Sequence, residues 1–255
     1  MTEPKDPAPA VTRAVRLLSV LADAEGRPLT LTELARELGI AKSSASNLCA
    51  SLEAERMIQR TGDGYRLGMR NAELGGAFAR QFNQVREFFT EVATDEVLSR
   101  EVVQVAMRDD LDALYLVRHE GRQQRLGTPL GSRLPLAFAA TGVAMLASFS
   151  DAEVEDVLRR ERFTPITERS SRGPEDVRRK IARARELGYS ADRGESFAGI
   201  GGIAVALPPW SPADPAMAIG VAVPVGELTD ERAAELGEAV GALVARLTNP
   251  LAVRG

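Results

Sequence analysis

From Thr12 to Leu21 the apolar positions Ala14, Val15, Leu17, Leu18 and Leu21 recur at helical spacing, and Gly26 with Pro28 ends the pattern. The chain therefore opens on an amphipathic helix. Thr30-Leu31-Thr32-Glu33 has the form of a capping box, in which a hydroxyl and a carboxylate each satisfy a free backbone donor, and Leu34, Ala35 and Leu38 follow on one face. This second helix runs to Gly39. A third is predicted from about Ala41 to Glu55, with Ala45, Leu48, Cys49 and Leu52 as its buried stripe and a polar opposite face. Residues 57–60, 61–64 and 65–67 then read as strand, turn and strand. Three helices followed by a hairpin is the order of a winged helix-turn-helix.

A further helical stretch runs from about Asn71 to Arg100, with a break near Asn83. Val102–Met107 and Ala113–Arg118 alternate as strands around a turn at Asp109-Asp110, and a loop over Gly131–Pro135 leads to an apolar helix from Ala140 to Phe149. Pro174 at a first-turn position, Val177, Ile181 and Ala184 on one face, and Gly188 just past the end mark another helix. Ile203–Leu207 and Ala216–Val223 are strand-like, separated by PPWSPADP, and a last helix from Asp230 to Leu247 is capped by Thr229. Helices set against a largely antiparallel sheet make the second half an α+β domain.

A length of 255 residues suits two domains, each large enough to bury a core. No apolar run approaches the ~20 residues needed to cross a bilayer. The opening MTEPKDPAPA lacks the basic start and apolar core of a secretory signal and reads as a disordered tail, which implies a cytoplasmic protein. One cysteine, Cys49, excludes an intramolecular disulfide and a multi-cysteine metal cluster, and on helical phase it is a small core residue. A net charge of −4 argues against nucleic acid, but its distribution argues less strongly. Residues 1–70 hold ten Lys/Arg against nine Asp/Glu, and the acidic excess lies beyond them. So small a local excess requires two copies of a DNA-binding unit to act together.

The exposed positions of the third helix are Lys42, Ser43, Ser44, Ser46, Asn47 and Ser51. In helix-turn-helix proteins this helix enters the major groove, where lysine meets phosphate or guanine, serine meets bases or backbone, and asparagine pairs with adenine. Serine is a mediocre helix former, so its repetition here favours DNA contact over a merely solvated face. Arg60 and Arg66, one on each strand of the hairpin, suit phosphate. Enzyme chemistry finds little support: the single histidine, His119, has no cysteine or metal-ligand partner in the pattern. Gly199–Ala204 matches a dinucleotide fingerprint in form, yet a strand-like run follows where that motif needs a helix. The alternatives left open are an enzyme or a protein-interaction module that carries a winged helix.

From Val11 to Leu247 the chain resembles the IclR family of bacterial transcription regulators. The resemblance lies in AVRLLSVLADA, in LTLTELARELGIAKSSASNLCASLEAERMI and GYRLG, in the LPL…TG…MLA stretch from Leu134 to Ala147, in RARELGYSADRGE and in GIGGIAVAL. It implies a winged helix-turn-helix DNA-binding domain over 11–70, a linker helix over 71–84 used in dimer contacts, and a GAF-like effector-binding domain over 85–249, which leaves 1–10 as the disordered tail read from its composition. It also implies no cofactor, a homodimer or dimer of dimers on a pseudo-palindromic double-stranded operator, and a small-molecule effector.

By the same resemblance the effector is held by the helix-start amides of Ala140 and Thr141, by Asp192, and by a wall at Gly202, Gly220 and Ala222, with Phe138 nearby. The family carries a cysteine where this chain has Gly202, and serines where it has Gly220 and Ala222. Asn47 stands where many members have arginine, Ala137 where histidine is usual, and Val143 where lysine is usual. Loss of a thiol and two hydroxyls points to a larger, more apolar cavity and to a bulky or aromatic effector.

Overall fold

The computed structural model describes residues 6–121, 126, 128–211 and 213–248. By internal contacts the chain divides between Gln81 and Phe82 into two compact units.

The first unit holds α1 (Pro9–Asp23), α2 (Leu31–Glu37), α3 (Lys42–Ala54), the hairpin β1 (Ile58–Thr61) and β2 (Gly64–Leu67), and α4 (Arg70–Ala79). Helix α1 begins earlier than its apolar spacing suggests, because Pro9 sits at a first-turn position where a missing N–H does no harm. Pro9 and Ala10 therefore belong to a helix rather than to a disordered tail, while residues 1–5 lie outside the described residues. The capping box at α2 is present: Glu33 N donates to Thr30 Oγ1 at 3.2 Å, and Thr30 N donates to Glu33 Oε2 at 2.8 Å. Leu17, Leu21, Leu29, Leu34, Cys49, Ile58 and Tyr65 form the core. Leu29 also pairs with β2 through Tyr65, a third strand position that its short polar surroundings hid from the pattern. Gly64, at φ +147°, lets β2 approach this segment, because a Cβ there would run into the Leu29 carbonyl.

The second unit holds α5 (Asn83–Thr94), β3 (Val102–Asp109), β4 (Asp112–Glu120), β5 (Arg133–Pro135), α6 (Ala140–Ser148), α7 (Asp151–Arg160), α8 (Pro174–Leu187), β6 (Ser190–Phe197), β7 (Ile200–Leu207), β8 (Met217–Pro224) and α9 (Asp230–Leu247). The stretch expected over 71–100 is two helices, interrupted at residues 80–82 close to the break expected near Asn83. Three elements were not expected. Strand β5 lies in the stretch read as a loop, α7 starts at a second capping box between Ser150 and Glu153, and β6 follows α8.

The six strands form one sheet in the order β5-β4-β3-β8-β7-β6, each neighbour antiparallel. Alternate residues of β7 meet different helices: a Cβ at Gly202 would touch Ala140 of α6, whereas one at Gly201 would run into Leu228, just ahead of α9. Along the α6 side the sheet presents Ala106, Ala204 and Ala218 beside Gly202 and Gly220. Small residues on three adjacent strands leave a shallow face, and α6 sinks into it with Ala140 through Leu146 all buried. Asp192 on β6, Gly202 on β7 and Ala222 on β8 stand in line across the sheet at its α6 end.

Candidate functional site

Helix α3 separates its residues as its phase requires. Ala45 and Cys49 are buried and Leu48 and Leu52 half-buried, while Lys42, Ser43, Ser44, Ser46, Asn47 and Ser51 are all exposed. Burial pushes the Cys49 thiol above its ordinary range, which suits a packing residue rather than a reactive one. The N-cap of α3 is Ala41, whose side chain offers no acceptor, and no acidic residue stands in the first turn. The positive end of the helix is left open to an anion such as a phosphate.

Both wing arginines are exposed, but the register separates them. Gln59 is opposite Arg66, and Arg60 is opposite the buried Tyr65. Cross-strand partners share a face, so Arg60 and Arg66 project from opposite faces of the hairpin. The Arg60 guanidinium lies 5.5 Å from the Tyr65 ring centre, and Arg66 Nη2 donates to Gln59 Oε1 at 3.3 Å.

In the second unit Ala140, Thr141, Asp192, Gly202, Gly220 and Ala222 border one cleft at the start of α6. Phe138 does not. It is buried in the core cluster, and Phe197 at the end of β6 borders the cleft instead. The N-cap Ala139 has no capping side chain, and the amides of Ala140 and Thr141 have no acceptor among the described residues. Ser190 Oγ ties the other end of this peptide group in place, donating to the Ala140 carbonyl at 2.6 Å.

Four polar residues of the cleft escaped the sequence reading: Gln104, Tyr115, Thr128 and Ser196. Gln104 interrupts an apolar strand, and a polar residue there is the one signal that could have found it. Tyr115 Oη and Thr141 Oγ1 are bonded at 2.9 Å, and Gln104 accepts from Thr128 N at 3.2 Å. The wall is therefore less stripped of polar groups than Gly202, Gly220 and Ala222 suggest. It is also tight: the cleft narrows to about 50 Å³ of free volume within a depression of about 420 Å³. The two glycines differ here. A Cβ at Gly202 would make ordinary contacts, 3.5 Å from Ala140 Cβ, but one at Gly220 would lie 2.7 Å from Thr141 Cγ2. The Thr141 methyl already occupies the space left by the missing side chain at Gly220.

Asp192 is buried, its Oδ1 accepting from Glu195 N at 2.6 Å and its Oδ2 from Ser196 N at 3.2 Å. Burial raises its pKa to about 6, against the opposing pull of Ser196 and of the Lys180 ammonium. Lys180 is lowered to about 8, again by burial, with Asp192 and Asp176 acting in the other direction. His119 is held away from the cleft, Nε2 lying 3.0 Å from the Ser99 carbonyl. The Gly199–Ala204 run forms the β6–β7 turn and the start of β7, a geometry that cannot seat a pyrophosphate on a helix.

Comparison with known proteins agrees with both halves. Residues 10–62 match the IclR helix-turn-helix domain, and residues 82–248 match the family described as Bacterial transcriptional regulator IclR C-terminal. The transcriptional repressor IclR of Escherichia coli is 25% identical over 236 residues, covering 91% of this chain and 85% of that protein. An IclR transcriptional regulator from Alicyclobacillus acidocaldarius superposes with a TM-score of 0.80 at 23% identity, covering 94% of this chain and 97% of that one. An IclR homologue from Microbacterium hydrocarbonoxydans, complexed with 4-hydroxybenzoate, superposes with a TM-score of 0.78 at 24% identity, covering 93% and 98%. The matched proteins are named as transcription regulators and repressors, not enzymes. With its winged helix-turn-helix, its antiparallel sheet under α6 and a family match over most of its length, this chain belongs to the IclR family of bacterial transcriptional regulators.

Proposed function

We propose that this regulator reads a pseudo-palindromic operator with the exposed face of α3 and one face of the wing, as a homodimer or a dimer of dimers in the cytoplasm. We further propose that a small aromatic acid at the start of α6 controls that reading. The observation that carries the second part is the convergence of open helix-start amides, buried Asp192 and a glycine wall on one cleft. The amides of Ala140 and Thr141 offer donors to a carboxylate at the positive end of α6. Asp192, at the other side of the cleft, accepts from a hydroxyl or an amine. The 4-hydroxybenzoate held by the Microbacterium homologue has this same layout of carboxylate, ring and hydroxyl. The near-neutral first unit supports a dimer, since one copy of α3 and its wing brings few phosphate contacts.

Fluorescence anisotropy with DNA from upstream of the gene tests the reading. Saturable binding is expected, with a midpoint that moves when 4-hydroxybenzoate is added. Absence of DNA binding would favour a winged helix used for protein contact. DNA binding that responds to glyoxylate or pyruvate but ignores aromatic acids would overturn the assignment of effector class. Sedimentation of a monomer on a single half-site would overturn the dimer.

A further inference from the structure

A second recess lies beside α8, between that helix and the segment before it, with a volume of about 500 Å³. It is lined by Arg169, Arg172, Arg179, Lys180, Arg183 and Ser171. Two acidic residues, Glu168 and Asp176, also border it, so the lining carries a positive excess. Three of the five cations are paired: Arg179 with Asp176, Arg183 with Glu186 at 2.7 Å, and Lys180 with Glu195. The Arg169 guanidinium donates to the Arg193 carbonyl at 2.9 Å and Arg172 donates its backbone N–H to Asp176 Oδ2 at 2.8 Å, while neither guanidinium has a carboxylate partner among the described residues. Ser171 is buried, yet its hydroxyl has no hydrogen-bond partner among the described residues. A hydroxyl without an acceptor, in a wall that also carries two guanidinium groups lacking a carboxylate partner, suits an oxyanion that supplies the missing acceptor.

The wall is built rather than loose. Ser170 Oγ accepts from Ile166 N and Thr167 N and donates to the Glu195 carbonyl at 2.7 Å, and Thr167 Oγ1 donates to the Gly194 carbonyl at 2.9 Å. The loop is thereby strapped to β6, the strand that carries Asp192. Lys180 joins the two places: it borders the recess and pairs with Glu195, whose amide donates to Asp192.

We propose that this recess is a second anion site, for a small molecule with at least two negative charges on phosphate or carboxylate oxygens, and that Lys180 couples its occupancy to the Asp192 cleft. An anion there competes with Glu195 for the Lys180 ammonium. Loosening that ion pair alters both the backbone that donates to Asp192 and the charge that stabilises its carboxylate.

Calorimetric titration of the full chain with pyrophosphate and, separately, with citrate tests the site at fixed ionic strength. Saturable binding of one of them is expected, and which one binds separates phosphate from carboxylate recognition. Arg172→Gln and Arg169→Gln should each weaken it about tenfold, about 1.4 kcal/mol, while Arg133→Gln, on β5, should leave it unchanged. Absence of saturable binding, or equal losses from Arg133→Gln, would overturn the site. The coupling rests on the effector reading above and is measured separately. The bound anion should change 4-hydroxybenzoate affinity in the wild type but not in Lys180→Met. An unchanged affinity in the wild type would refute the coupling while leaving the anion titration as its own result.

Discussion

Gly220→Ala asks whether the room vacated by a side chain on β8 is already filled. The added Cβ would lie 3.6 Å from the Ile203 carbonyl oxygen and 3.7 Å from Ala204 Cβ, both ordinary contacts, but 2.7 Å from Thr141 Cγ2. That is about 1 Å inside the resting separation of two carbon atoms. Thr141 has no easy escape. A β-branched side chain in a helix has few χ1 wells, and this one is buried with its Oγ1 bonded at 2.9 Å to the buried Tyr115 hydroxyl. Rotation would give up that bond at about 1 kcal/mol, and staying in place gives an overpacked contact of ~1–3 kcal/mol. Replacing a strand glycine by alanine returns ~0.5–1 kcal/mol through the unfolded chain. The net expectation is a loss of roughly 1–2 kcal/mol.

Thr141→Ser removes the methyl and keeps the hydroxyl, so in that background Gly220→Ala should be neutral or slightly stabilising, a coupling of ~1–2 kcal/mol. Urea unfolding can follow this through the fluorescence of Trp210, the only tryptophan in the chain, whose Nε1 donates to the Leu247 carbonyl at 2.8 Å within the second unit. Gly202→Ala, whose Cβ meets only ordinary contacts, is the control and should stabilise by ~0.5–1 kcal/mol. A coupling below about 0.3 kcal/mol would mean that Thr141 does not fill the space at Gly220.

On the DNA side, Lys42→Ala should reduce the salt slope of operator binding by about one unit, and Asn47→Ala should cost ~1–3 kcal/mol at one base position; unchanged anisotropy titrations of both would show that another face of α3 meets the groove. Because Arg60 and Arg66 project from opposite faces of the wing, only one of Arg60→Gln and Arg66→Gln should lower that slope, and equal effects would contradict the register argument. For Asp192, burial raises the folded-state pKa from 3.8 to about 6, so the folded chain holds this proton more tightly than the unfolded chain. Its contribution to stability is greatest below about pH 4, declines as pH rises toward 6, and by neutral pH has fallen by on the order of 3 kcal/mol. Urea unfolding of wild type and Asp192→Asn should therefore differ by an amount that shifts toward the variant between pH 4 and pH 7, and a pH-independent difference would refute the raised pKa.

Elements with strong ends were legible in the sequence. Thr30 with Glu33, Pro174 with Gly188, and Thr229 each mark a boundary that the structure keeps, because local hydrogen bonds and backbone restrictions set those ends. Helix α7 has the same capping box, with Val154, Val157 and Leu158 at helical spacing, so it was as legible as α8 although the sequence reading did not take it up. Strand β6 was hidden for a physical reason. Its buried positions are Ser190, Asp192, Gly194 and Ser196, polar or without a side chain, so an alternation of apolar and polar residues never appears. The same holds for the cleft. Resemblance to the family pointed to Gly202, Gly220 and Ala222, but Gln104 and Tyr115 belong to strands distant in sequence and meet α6 only through the sheet order.

The tightness of the cleft bears on how an effector could work at all. A cavity that accepts a benzene ring has a volume of about 150 Å³, several times the free volume of about 50 Å³ beside α6. The aromatic acid proposed above would therefore need a conformation in which part of the wall has moved, and Phe197, more than one-third exposed at the end of β6, is the bordering side chain with the most freedom to do so. Opening lowers the ligand's apparent affinity by the fraction of chains that are open. It also gives the ligand a strong preference for one state over another, without which no ligand shifts an equilibrium. The segment from Gly194 to Gly199 connects this movable side chain to Asp192 on one side and to β7 on the other. A closed cleft is thus compatible with the ring-sized effector proposed above, provided that the β6–β7 turn opens to admit it.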